Sequence, residues 1–340
     1  MVSALEHRRG TTVRRTRPIL AAAVAALLVL PLVVLAAPAA DAAPPYHEGT
    51  IQEIATTAFL RAITGQDSTK APPGVNDFSC HPSAAHPVPI VLLHGTFGNR
   101  YTNWGYLGPH LANAGYCVFA TNYGGFYPTA PFQGTDVFAN GLEPSAQQIN
   151  AFIDQVLAAT GAPQVDLIGH SQGALLALYV PKLTDHASKV HGVIGLGSPT
   201  QGSTVSGFVD LANLLGFTTL WNLFASFGCK GCADTPIPGS VIMQRLNAGG
   251  VAVPGIRYTI IASSNDKIVT PVANNFIPIA DQPPAEQPLI SNVLVQDACP
   301  NDSVGHVGEA YDGNVAQIIL NALDPANTTP VVCGTGGPAF

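Results

Sequence analysis

Short, unbroken apolar runs recur along the chain from residue 89 onward: Ile90–Leu93, Cys117–Thr121, Val165–Ile168, Val190–Leu196, Tyr258–Ala262 and Val293–Val295. Runs of this length and continuity fit strands buried on both faces, not the alternating strands of a half-solvated sheet. Stretches with helical spacing lie between several of them. Trp104–Ala114 follows the first run. Glu143–Thr160 follows the second and sets Ile149, Phe152, Ile153, Val156 and Leu157 on one stripe. Ala174–Leu183 follows the third, and Glu309–Leu323 comes last. Strands and helices in alternation predict an α/β fold, a mostly parallel central sheet flanked by helices.

Two stretches stand outside this rhythm. A helical insertion, residues 203–250, separates the fourth run from the fifth, and its Val205–Phe227 half is strongly apolar. One reading is a pair of buried helices. The other is a cap or lid that offers apolar surface to a lipid. The second stretch is the N-terminus. Arg8, Arg9, Arg14, Arg15 and Arg17 precede an apolar run, Ile19–Ala37, broken at Pro31 and followed by Ala40-Asp41-Ala42. That pattern reads as a signal peptide over residues 1–42, and the mature protein is expected to be secreted. A permanent anchor is the competing reading; Pro31 and the cleavage signal count against it. Arg14-Arg15 invites a twin-arginine route, but Arg17-Pro18 follows where apolar residues are wanted, so general secretion is expected. Residues 43–87 then form an N-terminal extension with one helix candidate, Thr50–Ile63, and residues 88–340 one catalytic domain.

Removing the leader changes the charge. Lys and Arg fall from 14 to 9 and Asp and Glu from 21 to 19, which moves the net charge from −7 to −10. Such a chain has little with which to neutralise phosphates, so nucleic acid is excluded as an expected partner. A monomer is expected. All six cysteines, Cys80, Cys117, Cys229, Cys232, Cys299 and Cys333, follow the leader. An even count in an exported chain predicts disulfides, and a sequential pairing is the expected one among the many possible. Cys229-x-x-Cys232 also has zinc-ligand spacing, but no second close Cys/His pair accompanies it. A redox role for the pair is weaker, since no matching strand precedes it.

The chemistry centres on Gly169-His170-Ser171-Gln172-Gly173. This is a G-x-S-x-G sequence between a predicted strand and a predicted helix, the context in which a serine is lifted onto a sharp, strained turn. Both glycines stand where side chains would crowd that turn. Ser171 is therefore the candidate nucleophile. A serine hydroxyl needs a base, and in such folds an acid and then a histidine follow in chain order. Asp266 stands just after the run Tyr258–Ala262, and His306 is the only histidine beyond it. His306 is expected to take the Ser171 proton, with Asp266 holding its tautomer; protonated imidazole cannot act as a base, so activity should fall in acid. Asp297 and Asp302 are the rival acids. His170 is adjacent to the nucleophile and cannot fold back as its base, so it reads as a supporting group. His81, His86, His110, His186 and His191 read as surface or structural. The oxyanion hole is expected from the backbone N–H groups of Gln172 and Thr96, with the Thr96 hydroxyl as a candidate third donor. Phe97, Phe126, Tyr127 and the Val205–Phe227 segment are candidate substrate-binding residues.

Five segments carry a family resemblance: Pro89–Gly98 (PIVLLHGTFG), Leu167–Gly173 (LIGHSQG), Gly197–Ser203 (GSPTQGS), Tyr258–Pro271 (YTIIASSNDKIVTP) and Asn321–Pro325 (NALDP). From about residue 80 to the C-terminus the chain resembles secreted actinobacterial lipases of the class 2 lipase family, α/β-hydrolases related to yeast lipase B. The resemblance implies hydrolysis of triacylglycerols and simpler carboxylic esters without a cofactor, with transient contact at a lipid interface. Its serine, acid and histidine fall on Ser171, Asp266 and His306. It also supports a Cys80–Cys117 bridge. One departure is Gly305, which stands beside the histidine where an acidic residue is expected. The competing readings are acyl transfer to an alcohol or sugar by the same triad, polyester cleavage, and a non-catalytic binding protein on this scaffold, which the intact Ser171, Asp266, His306 set argues against.

Overall fold

The computed structural model describes residues 68–125, 133–134, 141–204, 236, 238–334 and 336–337. The leader, the Thr50–Ile63 helix candidate, Val205–Phe227, Cys229, Cys232, Phe126 and Tyr127 lie outside the described residues. No described helix is long and apolar enough to cross a membrane.

Six strands form one sheet: β1 (Ile90–Leu93), β2 (Val118–Thr121), β3 (Val165–His170), β4 (Val190–Leu196), β5 (Arg257–Ala262) and β6 (Ile290–Leu294). Their order is β2-β1-β3-β4-β5-β6, and every neighbouring pair is parallel. The helices are α1 (Arg100–Asn103), α2 (Leu107–Asn113), α3 (Glu143–Thr160), α4 (Gln172–Leu183), α5 (Val241–Asn247), α6 (Val295–Ala298) and α7 (Gly313–Leu323).

Side chains alternate across each strand, so β1 feeds two cores. Val91 and Leu93 join Ile149, Ile153 and Val156 of α3 and Leu175, Leu176 and Leu178 of α4. Ile90 and Leu92 join Leu107 and Leu111 of α2 and Val315, Ile318 and Ile319 of α7. Both faces are covered, which is why the β1 run is apolar at every position. The predicted α3 stripe packs inward: Ile149, Ile153 and Val156 are buried, and Phe152 and Leu157 rest against the same core.

Three boundaries differ from expectation. The last strand is Ile290–Leu294, not Val293–Val295, and Val295 opens α6. This strand sits at the sheet edge with Ser291 exposed, so an apolar run does not mark it. The predicted Glu309–Leu323 helix is two pieces, a 3₁₀ turn at Gly308–Tyr311 and then α7. Asp312 separates them by capping α7, its Oδ1 accepting from Val315 N at 2.8 Å. The Trp104–Ala114 helix begins only at Leu107.

Among the described residues there are two disulfides, Cys80–Cys117 and Cys299–Cys333, both in the sequential pattern. The first ties the segment before β1 to the residue that precedes β2. The second ties the C-terminal segment to the end of α6. The proposed third pair lies outside the described residues.

Candidate active site

Ser171 stands between β3 and α4 with φ 55° and ψ −119°. A non-glycine residue rarely adopts this conformation, and it persists only where the surroundings impose it. Here the surroundings are backbone. A Cβ on Gly173 would lie 2.0 Å from Leu93 O, and one on Gly169 2.2 Å from Gly173 O. The absence of both side chains lets α4 approach β1 and lets the turn close. Ser171 N donates to Leu196 O at 2.8 Å, and Ser171 O accepts from Ala174 N and Leu175 N.

Asp266 follows β5 in a turn closed by its N–H on Ser263 O. Its Oδ2 lies 2.9 Å from His306 Nδ1, and its Oδ1 accepts from Ile268 N at 2.7 Å and Val269 N at 3.0 Å. Burial pushes this carboxyl up, but the facing His306 and the two N–H donors outweigh it and hold Asp266 below the ordinary carboxylate value. The carboxylate accepts, so the His306 proton sits on Nδ1 and Nε2 keeps its lone pair. Nε2 is buried and has no hydrogen-bond partner among the described residues. Both Ser171 and His306 meet the end of β4. Leu196 O takes the Ser171 N–H, and a Cβ on the next residue, Gly197, would fall 2.7 Å from His306 Nδ1. No hydrogen bond joins Ser171 Oγ to Nε2 in this resting geometry; such bonds commonly tighten only around substrate.

The rival acids are placed elsewhere. Asp302 accepts from Val304 N at 2.9 Å and Asn314 Nδ2 at 2.8 Å, while Asp297 is exposed on α6. His186 pairs with Asp154 and Asp185, and His191 with Asp166.

Gln172 is the first residue of α4, so its N–H has no carbonyl one turn back to bond. Thr96 lies opposite in the loop after β1. The Thr96 hydroxyl donates to Gln172 Oε1 at 2.6 Å, so in the resting site it is turned to this side chain and not held free as a third donor. That contact joins the side chains of the two residues whose N–H groups are the candidate oxyanion donors. The loop is shaped further by Gly98 N on Gly95 O and by Gly95 N on Asn103 Oδ1. Phe97 adopts φ 61° and is half-buried beside them.

Sequence reasoning missed Glu309. It is fully buried, its Oε1 accepts from Ser263 N at 2.8 Å, and its Oε2 has no hydrogen-bond partner among the described residues. That oxygen would lie 3.1 Å from the same Gly197 Cβ that touches the His306 ring. Burial first, and the Asp266 charge second, push the Glu309 carboxyl well above its usual value. An acidic residue does accompany the histidine, three positions after it and not beside it. A raised folded value means stability is fully present below the unfolded value and is lost as pH rises toward the folded one. Each pH unit in that window costs up to about 1.4 kcal/mol. Asp312, raised to about 6 by burial, acts in the same direction. Glu309→Gln keeps the acceptor for Ser263 N and removes the ionisation. It should leave thermal stability nearly unchanged at pH 4 and exceed wild type by a margin that grows toward pH 8. Melting curves across that range check this; a margin independent of pH would refute the buried neutral acid.

His170 is also fully desolvated. Its Nε2 lies 2.9 Å from His306 O and its Nδ1 3.1 Å from Asn103 Oδ1. Burial first, then the neighbouring His306, push its ring down to about 3.

A family model described as the alpha/beta hydrolase fold matches residues 88–224. A triacylglycerol lipase of Pseudarthrobacter phenanthrenivorans is 36% identical over 132 residues, which cover 37% of this chain and 38% of that protein. One from Burkholderia plantarii is also 36% identical over 132 residues, 37% of this chain and 34% of its own length. An epoxide hydrolase B of Mycobacterium tuberculosis is 30% identical over 118 residues, 35% of this chain and 31% of that one. The chain thus spans about a third of the length of the curated relatives it matches. Among solved structures, Aspergillus fumigatus lipase B matches with a TM-score of 0.52 at 17% identity, over 75% of this chain and 57% of that one. With six parallel strands among the described residues and a strained serine turn, the chain has the α/β hydrolase fold, and part of it is similar to triacylglycerol lipases.

Proposed function

We propose that the protein is a secreted serine hydrolase of the class 2 lipase type that cleaves carboxylic esters, triacylglycerols among them, through Ser171, His306 and Asp266. The observation that carries this reading is the buried Asp266–His306 pair, whose ring meets the β4 end beside the strained Ser171 turn and whose Nε2 has no partner among the described residues. His306 Nε2 takes the Ser171 proton as Oγ attacks the ester carbonyl. The N–H groups of Thr96 and Gln172 receive the oxyanion. Asp266 stabilises the imidazolium, which then gives its proton to the departing alcohol. Water, deprotonated by the same ring, cleaves the acyl-serine and releases the acid.

The chemistry favours esters over epoxides. A serine oxygen opening an epoxide would leave an ether that water cannot cleave, whereas attack on an ester leaves an acyl group that water removes. Leaving-group exchange with an added alcohol uses the same steps, so acyl transfer would appear as a side product.

The test is an assay of para-nitrophenyl esters from two to sixteen carbons beside a triglyceride emulsion, with a fluorophosphonate probe on the same preparation. Hydrolysis of long-chain esters and emulsion is expected. Activity on short soluble esters alone would reduce the protein to an esterase, and no ester turnover together with no labelling would overturn the reading.

A further inference from the structure

His170 belongs to none of the chemical steps above, yet it joins three parts of the site. It is the last residue of β3, one position before Ser171. Its ring reaches the His306 carbonyl, 136 residues away in sequence, and the Asn103 side chain, 67 residues away. Asn103 in turn accepts the Gly95 N–H of the oxyanion loop at 3.0 Å.

Both groups facing the ring are acceptors as placed, and a neutral imidazole has one N–H to give. Burial keeps this ring neutral through the working pH range. Only one of the two contacts is therefore a hydrogen bond at a given moment. The two acceptors differ in need. Asn103 Oδ1 already holds the Gly95 N–H. The His306 carbonyl, in a buried residue, has no other side-chain donor among the described residues, and leaving such a carbonyl bare is costly. That comparison places the proton on Nε2.

We propose that His170 is a positioning residue whose Nε2–H ties the His306 backbone carbonyl to the nucleophile's own strand. The loop between α6 and the Gly308–Tyr311 turn has few regular hydrogen bonds of its own. Ser263 Oγ holds Val304 O at 2.5 Å, and Asp302 holds Val304 N. Two residues on, the base itself is held at its ring by Asp266 and at its carbonyl by His170. The ring contact fixes which nitrogen is free. The carbonyl contact fixes where that nitrogen stands relative to Ser171, because the tether ends one residue from the nucleophile.

The inference rests on the reading of Ser171 and His306 given above, and the test separates the two. His170→Phe fills the space without a donor. It should lower kcat by about 10²-fold through displacement of the base, with KM nearly unchanged. His170→Gln can still donate from its amide and should recover most of the loss. Nitrogen-15 NMR of the wild-type protein should find the His170 proton on Nε2 and a bare Nδ1. A proton on Nδ1, or a folded His170→Phe enzyme with wild-type kcat, overturns the tether. If the phenylalanine variant does not fold, the wild-type tautomer decides alone. Absence of Ser171 labelling in the wild type would instead remove the underlying reading of the site.

Discussion

Ser171→Ala is expected to lower ester turnover by about 10⁶-fold, to a residue set by binding and the oxyanion donors alone. The size follows from the division of labour in the site. Without the hydroxyl no acyl-enzyme forms, and the other two residues of the triad have no proton to move. The fold should be almost untouched. Ser171 makes no side-chain cap bond to α4, and its backbone bonds to Leu196, Ala174 and Leu175 survive the substitution. Alanine also meets the same positive φ that serine already bears, so no new backbone strain arises. Melting temperature and KM for a para-nitrophenyl ester should therefore stay near wild type while kcat collapses. Turnover within tenfold of wild type, or undiminished fluorophosphonate labelling of the variant, would remove Ser171 from the mechanism.

Gly173→Ala should act on the fold instead. The added Cβ would lie 2.0 Å from Leu93 O and 2.6 Å from His94 O. Both contacts are backbone atoms of β1 and the loop after it, so no side chain can swing aside. Relief requires α4 to move off the sheet, away from a core built on Leu175, Leu176 and Leu178. A loss of about 3 kcal/mol or more is expected, at the upper end for overpacking. Gly161→Ala is the contrasting case, a glycine set by its φ and not by its neighbours. Gly161 caps α3 with φ 71°, and a Cβ there meets nothing within 4 Å. Its cost is conformational only, about 1 kcal/mol. Urea midpoints of the two variants measure the contrast. Gly173 has no positive φ to explain its identity, so equal costs would mean that the approach of α4 to β1 relaxes easily and does not dictate Gly173.

How much of this could be read in advance depended on whether a residue's task is local. The β1 run was legible because both its faces are covered, and α3 because its stripe meets one core. The β6 strand was misplaced because an edge strand need not be apolar at every position. Asp312 was read as helix interior, although a cap differs from an interior residue only in what its side chain reaches. The elbow glycines were legible because the turn confines their demands to five residues. Chain order proposes Ser171, Asp266 and His306 as a triad, and the structure joins Asp266 to His306 directly. Glu309 escaped because its partner, Ser263, lies 46 residues away. Asn103 escaped because its contact with His170 spans 67 residues, although Gly95, which it also supports, is close in sequence. The resting direction of the Thr96 hydroxyl depends on a side chain 76 residues distant, and no spacing rule carries that information.

The two adjacent residues at the end of β4 serve as a common reference for the proposed nucleophile and base. Leu196 receives the Ser171 amide, and Gly197 abuts the His306 ring. A small slide or tilt of that strand therefore carries both reacting groups in the same direction, and their separation changes less than either position does. In the proposed mechanism, thermal wobble of the sheet would enter the reaction coordinate mostly as a shared displacement.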